Sequence, residues 1–258
     1  MPGVLLFLWQ DRVLFPAPAI SRARLAELAE AAGAQEVSVE TADGVSLYGW
    51  HVPGGSQRAL LYFHGNGESV AHTRTVQAAA VAAGWDFVCV SPRGYPGSDG
   101  APARGSLARD AEAAWALVTG PLGFEPGQVL LHGRSLGGGM AGSLMADVHP
   151  AGLVLESTFL SLVEVGGDAF PIYPVRLLLR HRAPTAARAP AVDYPVLILH
   201  GDQDQVISVR HGRRLAEGFP KATYVESRGF GHNDGLLHTD PAARAAWLRY
   251  LREAAGGL

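Results

Sequence analysis

The stretch from residue 129 to residue 146 constrains the fold more than any other part of this chain. An apolar run at 129–132 leads into a Gly-x-Ser-x-Gly sequence at 133–137, and a run of small residues typical of a helix follows at once. When a strand turns sharply into a helix in this way, the serine hydroxyl stands at the end of the strand. Glycines on both sides suit such a turn, because neighbouring Cβ atoms would crowd its strained backbone. The sequence therefore predicts that Ser135 lies in a tight turn between a buried strand and a helix.

The rest of the chain alternates strand-like runs with helical patterns. Two alternating runs at 36–40 and 45–52 flank Ala42-Asp43-Gly44, which is a hairpin signal. Further apolar runs, each suited to a buried strand, occupy residues 59–63, 86–90, 129–132, 152–155, 196–200 and 222–226. Continuous apolar strands that alternate with helices indicate a mostly parallel sheet covered on both faces. We therefore predict an α/β fold with a mostly parallel eight-stranded sheet, helices on both faces and one antiparallel hairpin at its start.

Helices are predicted at the intervals that separate these strands. Their expected ranges are residues 22–32, 69–83, 107–118, 208–217 and 242–254, together with the helix that follows Ser135. The stretch 157–193 departs from this rhythm and is rich in proline, arginine and alanine. We interpret it as a short helical cap inserted between the sixth and seventh strands. The 258 residues are expected to form one domain, 1–258.

Composition argues against several classes of function. The net charge of −3 provides no basic surface for nucleic acid, and the arginines of 176–188 are interpreted as a solvated face. The single cysteine, Cys89, lies in an apolar run, so we expect a buried side chain, no disulfide and a reducing compartment. The apolar residues 4–9 are too short to span a membrane. We interpret them as a helix end packed on the domain, or as a weak membrane anchor, and predict a cytoplasmic protein.

Residues suited to catalysis follow the predicted strands. The loop His64-Gly65-Asn66-Gly67 comes after the third strand, and its glycines allow a backbone amide to face the edge of the sheet. The amide of Asn66, together with that of Leu136 just after the serine, is suited to holding a developing oxyanion. A plain tight turn would use the same glycines and is the alternative interpretation of this loop.

Two carboxylates follow the seventh strand, at Asp202 and Asp204. A buried carboxylate at such a position can fix the tautomer of a catalytic imidazole and stabilise its protonated form. We favour Asp204, because it lies further into the loop, where its side chain can turn back towards the sheet. Asp202 is the first alternative, and Glu156, at the end of the sixth strand, is a further one.

The histidines that follow these carboxylates are His211, His232 and His238. His211 falls within a helical pattern, and His238 lies beside the start of the last helix. His232 lies in a glycine-flanked loop after the eighth strand, where a mobile general base is expected. Serine, aspartate and histidine then follow one another in the order found in α/β-hydrolases.

These segments together resemble the α/β-hydrolase superfamily from about residue 35 to the end of the chain. More closely, they resemble a branch that includes membrane-associated eukaryotic serine hydrolases, some of them protein depalmitoylases, and many bacterial relatives. The resemblance implies Ser135 as nucleophile, Asp204 as acid and His232 as base, with oxyanion donors at Asn66 and Leu136. The matching segments are 64–67, 92–98, 133–138, 156–159 and 231–234.

The chain departs from this branch at two places. Where the branch has Arg-Gly-Tyr-Gly, this chain has Arg93-Gly94-Tyr95-Pro96, and proline stiffens a loop near the expected site. The membrane-anchoring segment of many relatives is reduced to residues 4–9, which argues against a membrane-bound substrate.

A second glycine pattern competes with this interpretation. Residues 137–142 satisfy Gly-x-Gly-x-x-Gly, and Glu156 lies at about the distance expected of a residue that binds a ribose. A dinucleotide fingerprint begins where its strand ends, however, whereas residues 134–136 intervene here. We therefore interpret the glycines as close packing of a helix on the sheet and expect no cofactor. No histidine or cysteine cluster has the spacing of a metal site.

The sequence predicts a serine hydrolase that cleaves a carboxylic ester or thioester through an acyl-enzyme on Ser135. Epoxide hydrolases and haloalkane dehalogenases of this fold carry an aspartate at that position, so the serine argues against both. A peptidase or amidase with the same triad is an alternative, as is a non-catalytic binding protein. The predicted substrate contacts are Tyr95, Phe159, Phe170 and Tyr173. The apolar residues of the cap suit either an acyl site or a seal onto the core, and the oligomeric state is left open.

Overall fold

An eight-stranded sheet forms the centre of the structure, which is a computed structural model that describes residues 10–11 and 14–256. Residues 4–9, interpreted above as a helix end or a weak anchor, lie outside the described residues. The strands are β1 (Gln35–Glu40), β2 (Ser46–Val52), β3 (Ala59–Phe63), β4 (Asp86–Val90), β5 (Val129–Arg134), β6 (Gly152–Glu156), β7 (Val196–Gly201) and β8 (Ala222–Ser227). Their order across the sheet is β1-β2-β4-β3-β5-β6-β7-β8.

The pairing of the strands confirms the predicted fold class. β1 pairs with β2, and β2 with β4, in antiparallel fashion, while all the remaining neighbours are parallel. Every residue of β3, β4 and β6 is buried, as expected of parallel strands covered on both faces. The edge strand β1 instead alternates between exposed and half-buried residues towards its end. Because β3 to β8 are parallel, their carboxyl ends meet at one edge of the sheet.

Helices pack on both faces of this sheet. They are α1 (Arg22–Ala31), α2 (Arg74–Ala82), α3 (Ser106–Thr119), α4 (Leu136–Leu144), α5 (Leu162–Ala169), α6 (Val175–Leu178), α7 (Thr185–Arg188), α8 (Arg210–Gly218), α9 (Leu236–Thr239) and α10 (Pro241–Gly256). Leu61 shares one core with α3, α4 and α8, whereas its neighbour Leu60 shares a second core with α1, α2 and α10. The alternation of side chains along a strand thus divides the apolar residues between two layers.

The segment between β6 and β7 forms the short helical cap that the sequence predicts. It contains α5, α6 and α7, followed by a single 3₁₀ turn at Ala189–Ala191. Polar contacts attach α5 to α8: Glu164 pairs with Arg214 at 3.1 Å, and Asp168 lies 3.0 Å from His211 Nε2. The cap is therefore held against α8, the helix that follows β7.

One predicted helix is interrupted, and several strands run further than their apolar runs. The helix expected over 69–83 begins only at Arg74, because His72 Nδ1 accepts a hydrogen bond from the Ser69 amide and a 3₁₀ turn forms first. β5 and β6 extend to Arg134 and Glu156, which lie opposite each other in the ladder. Polar residues at strand ends were missed because apolar periodicity alone defined the predicted strands.

No helix within residues 10–11 and 14–256 combines the length and the apolar character needed to cross a membrane.

We expect Gly137→Ala to destabilise the fold at the junction of α4 with the sheet. A Cβ at this position would lie 2.0 Å from the backbone oxygen of Phe63, which has little freedom to move. Overpacking of this kind lowers the free energy of unfolding by about 1–3 kcal/mol. Gly167→Ala in α5 is the matched control, since its Cβ meets no atom within 4 Å. Urea denaturation followed by circular dichroism checks both, and equal stabilities of the two variants would contradict the account.

Candidate active site

The turn at Ser135 joins β5 to α4 in a strained conformation. Its φ of +52° and ψ of −116° are unusual for a residue that carries a Cβ. Two hydrogen bonds hold the turn: the Ser135 amide donates to the backbone oxygen of Glu156 at 2.9 Å, and Thr158 Oγ1 donates to the backbone oxygen of Ser135 at 2.8 Å. The end of β6 thus stabilises the turn that β5 makes.

The glycines around this turn are required by close packing. A Cβ at Gly133 would lie 2.4 Å from the backbone oxygen of Gly137, and one at Gly138 would lie 2.1 Å from Thr158 Oγ1. Real Cβ atoms do not approach other atoms so closely, so larger residues would displace α4 from the sheet. At two glycines of the Gly-x-Gly-x-x-Gly pattern, Gly137 and Gly142, a Cβ would likewise lie 2.0 Å and 2.8 Å from the nearest atom, so close packing accounts for them.

Three side chains from different strand ends form a continuous line of hydrogen bonds. His232 Nε2 lies 3.0 Å from Ser135 Oγ, and His232 Nδ1 lies 2.7 Å from Asp204 Oδ2. The second carboxylate oxygen, Asp204 Oδ1, accepts the amides of Val206 at 2.9 Å and Ile207 at 2.7 Å. The loop after β7 therefore fixes the carboxylate so that one oxygen faces the imidazole. The arrangement suits transfer of the serine proton to His232.

The pKa of Asp204 is held well below its usual range. Burial raises the pKa of this carboxyl, but hydrogen bonds from His200 and His232 lower it by more. His200 Nε2 lies 3.3 Å from Asp204 Oδ2 and 2.8 Å from the backbone oxygen of Ile207. His200 was not predicted as part of the site, because it ends an apolar run and its partner lies in the following loop.

The alternative acids and histidines lie elsewhere. Asp202 Oδ1 accepts the amide of Gly229 at 2.6 Å and so ties the loop after β7 to the loop after β8. Glu156 Oε2 lies 3.2 Å from His132 Nε2, in the interior of the sheet. His211 lies 3.0 Å from Asp168 in the cap, and His238 belongs to the short helix α9. The structure therefore brings Asp204 and His232, rather than these residues, to Ser135.

The loop after β3 places Asn66 beside the serine turn. Its side chain is held from two directions: Asn66 Nδ2 donates to the backbone oxygen of Leu14 at 2.7 Å, and the Tyr95 hydroxyl donates to Asn66 Oδ1 at 2.5 Å. Within the described part of the chain, neither the amide of Asn66 nor that of Leu136 donates a hydrogen bond to another residue. Both amides are therefore available to a ligand, and Leu136 is the first residue of α4, where a helix favours negative charge.

A cleft of about 450 Å³ opens beside Ser135 and His232. Apolar residues form much of its wall: Leu14, Leu136, Phe159, Leu162, Val165, Val206 and Ile207. Of the predicted substrate contacts, only Phe159 lines this cleft. Tyr95 is buried against Asn66, whereas Phe170 and Tyr173 contact each other in the cap, with ring centroids 6.4 Å apart. Of these four residues the structure therefore brings Phe159 alone to the cleft, and the substrate contacts stay a prediction.

The loop that carries Tyr95 is braced by a buried arginine. Arg93 is 4% exposed; it donates through Nε to Asp110 at 2.8 Å and through Nη1 to Asp43 at 2.7 Å. Pro96 lies in a turn closed by the Ser98 amide, which donates to the backbone oxygen of Tyr95 at 3.0 Å. The stiffened loop thus holds the Tyr95 hydroxyl against Asn66.

No group of three or more His, Cys, Asp or Glu side chains suited to a metal ion is present in residues 10–11 and 14–256.

The sequence is similar to several curated proteins. An uncharacterized protein of Mycobacterium tuberculosis is 36% identical over 259 residues, which cover 98% of this chain and 92% of that protein. The alpha/beta hydrolase domain-containing protein 17C of Xenopus laevis is 31% identical over 189 residues, which cover 71% of this chain and 58% of that protein. Residues 178–255 match a protein family that is described as "TAP-like protein".

Solved structures of the same fold are also similar. The Pyrococcus furiosus esterase Pf2001 superimposes with a TM-score of 0.72 at 17% identity, covering 92% of this chain and 98% of that chain. An alpha-beta hydrolase from Vibrio vulnificus gives a TM-score of 0.73 at 19% identity, covering 98% of this chain and 91% of that chain.

We expect the Asp204 carboxylate to stabilise the fold in a pH-dependent way. Its folded-state pKa lies below the unfolded value of about 3.9, so its contribution is complete above that pH and is lost as the pH falls towards the folded-state pKa. Asp204→Asn should lower the free energy of unfolding near pH 6, and its difference from the wild type should begin to narrow, without closing, as the pH falls from about 4 to about 3. Urea denaturation across this range, with Asp202→Asn as control, checks the prediction. A difference between Asp204→Asn and wild type that is independent of pH would contradict it.

Proposed function

The chain belongs to the α/β-hydrolase superfamily, and on that premise we propose that it is a serine hydrolase that cleaves a carboxylic ester or thioester. The observation that carries this proposal is the continuous line of hydrogen bonds from Ser135 Oγ through His232 to Asp204, in the chain order of this superfamily. Each member comes from a different strand end, so the arrangement depends on the whole sheet.

In the proposed acylation step, Ser135 Oγ attacks the substrate carbonyl carbon while His232 Nε2 accepts the hydroxyl proton. The carbonyl oxygen gains the negative charge of a tetrahedral intermediate, and the amides of Asn66 and Leu136 donate to it. When the intermediate collapses, the bond to the alcohol or thiol breaks and the protonated His232 gives its proton to that group. The acyl group is left as an ester on Ser135.

In the deacylation step, His232 removes a proton from water, which attacks the acyl-enzyme and releases the carboxylic acid. His232 then returns that proton to Ser135 Oγ. Asp204 stabilises the imidazolium in both steps, because its Oδ2 lies 2.7 Å from His232 Nδ1 and its depressed pKa keeps it ionised.

The apolar wall of the cleft supports an acyl substrate. Leu162 and Val165 of α5 contribute to this wall together with Phe159, beside the serine. A structural neighbour from Pyrococcus furiosus is an esterase, which supports ester cleavage as the first activity to test. We further propose a cytoplasmic location, which rests on the single cysteine of the sequence alone.

Hydrolysis of p-nitrophenyl esters from acetate to palmitate tests the proposed activity. We expect Ser135→Ala to lower kcat by about 10⁶-fold, because it removes the nucleophile, and Asp204→Asn by about 10⁴-fold, because it leaves His232 in the wrong tautomer. Asp202→Asn is the matched control and should retain activity close to wild type, since Asp202 accepts only a backbone amide of the neighbouring loop.

Three outcomes would revise the proposal in different ways. Equal rates for folded wild type and Ser135→Ala would contradict a serine mechanism and favour a binding protein of this fold. Faster cleavage of the matching p-nitroanilides would indicate an amidase or peptidase instead of an esterase. Loss of activity in Asp202→Asn but not in Asp204→Asn would reassign the acid.

A further inference from the structure

Arg134 occupies the position before the nucleophile, yet the proposed chemistry makes no use of it. Its side chain is 12% exposed and lies among three groups from different parts of the chain. It donates through Nη1 to Glu68 and through Nη2 to the backbone oxygen of His232 at 2.8 Å, and its Nε lies 3.7 Å from Glu156 Oε1. The guanidinium therefore contacts the loop that carries the catalytic imidazole directly.

Glu68 connects the same guanidinium to the loop after β3. One carboxylate oxygen faces Arg134, and the other, Oε2, accepts the amide of Gly65 at 2.7 Å. The packing is close, because a Cβ at Gly65 would lie 3.0 Å from Arg134 Nη1 and 3.2 Å from Glu68 Oε2. Polar contacts therefore connect Gly65, the residue before Asn66, through Glu68 and Arg134 to the backbone of His232.

The sheet alone does not fix the distance between these two loops. β3 and β8 are separated by β5, β6 and β7, and the segments after them are irregular at Asn66 and His232. The side chain of Arg134, at the end of β5, spans this separation. A planar guanidinium suits the task, since it can donate to two acceptors in a fixed geometry, which an ammonium group cannot.

The carboxylates around Arg134 keep its side chain charged and favour a persistent contact. Burial lowers the pKa of Arg134, but the carboxylates of Glu156 and Glu68 outweigh that effect and raise it. Glu156 is itself anchored by His132 at 3.2 Å. Arg134 therefore stays charged throughout the pH range in which a histidine base titrates.

We propose that Arg134 and Glu68 are positioning residues that hold the oxyanion amide of Asn66 and the imidazole of His232 in register with Ser135. The inference rests on the proposed hydrolase function and assigns the pair no contact with the reacting atoms. Misplacement of catalytic groups by about 1 Å can lower a rate by about 10²-fold, so the pair should affect turnover strongly.

Steady-state kinetics of Glu68→Gln, Arg134→Met, Arg134→Lys and the double variant Glu68→Gln/Arg134→Met tests the proposal. We expect kcat for a short p-nitrophenyl ester to fall by about 10–100-fold in Glu68→Gln and in Arg134→Met, with KM nearly unchanged. The kcat of the double variant should be only slightly lower than that of Arg134→Met, because both substitutions break the same contact between Glu68 and Arg134. Arg134→Lys should restore only part of the lost rate, because lysine keeps the positive charge but lacks the planar guanidinium that donates to two acceptors.

A surface pair provides the matched control. Arg213 donates to both carboxylate oxygens of Glu226 at 2.8 Å, away from the cleft lining. Arg213→Met should leave kcat unchanged. Thermal unfolding of every variant separates misplacement from unfolding, and Glu68→Gln keeps the test valid if Arg134→Met folds poorly, since Glu68 is partly exposed and the change preserves its shape.

The outcomes separate this inference from the function on which it rests. Suppose that the wild type is active. The positioning role alone would then be overturned if the Glu68 and Arg134 variants keep the wild-type kcat, or if the losses of the two single variants multiply in the double variant. Losses that appear only in KM, or that match the unfolded fraction, would overturn it as well. A wild type that hydrolyses no ester faster than Ser135→Ala would overturn the proposed function and the positioning role together.

Discussion

Ser135 adopts a positive φ where β5 passes into α4, and the remainder of the site depends on holding that turn. A backbone strained in this way persists only when its surroundings fix it. Here the fixing groups are the backbone oxygen of Glu156 and the hydroxyl of Thr158, both near the end of β6. Gly133 and Gly137 let α4 approach the sheet closely enough for the hydroxyl to face the loops after β7 and β8.

The carboxyl edge of the sheet collects groups that are distant in the chain. Asp204 and His232 follow β7 and β8, while the amide of Asn66 follows β3 on the other side of the serine. The loops after β3 and β8 do not pair with each other as strands, and the side chains of Arg134 and Glu68 connect them instead. A parallel sheet thus supplies the common edge, and a buried polar connection supplies the spacing along it.

The sequence was sufficient for the fold and for the order of the candidate triad, because both follow from local patterns. Apolar periodicity located β3 and β4 at their observed bounds, and glycine-rich loops marked the strand ends that carry Ser135 and His232. It was insufficient for Arg134 and His200, because their contacts with Glu68, His232 and Asp204 depend on how the loops fold. It also did not separate Phe159, which lines the cleft, from Phe170 and Tyr173, which do not, because irregular cap segments have no periodicity that indicates which side faces the cleft.

Covalent labelling of the folded protein by a fluorophosphonate, followed by mass spectrometry of its peptides, tests the central claim most directly. A nucleophilic Ser135 displaces fluoride and keeps the phosphonyl group. We therefore expect a single adduct on the peptide that contains Ser135, formed much more slowly in His232→Ala. The absence of an adduct from folded protein, or an adduct on another serine that forms equally fast in His232→Ala, would contradict the account.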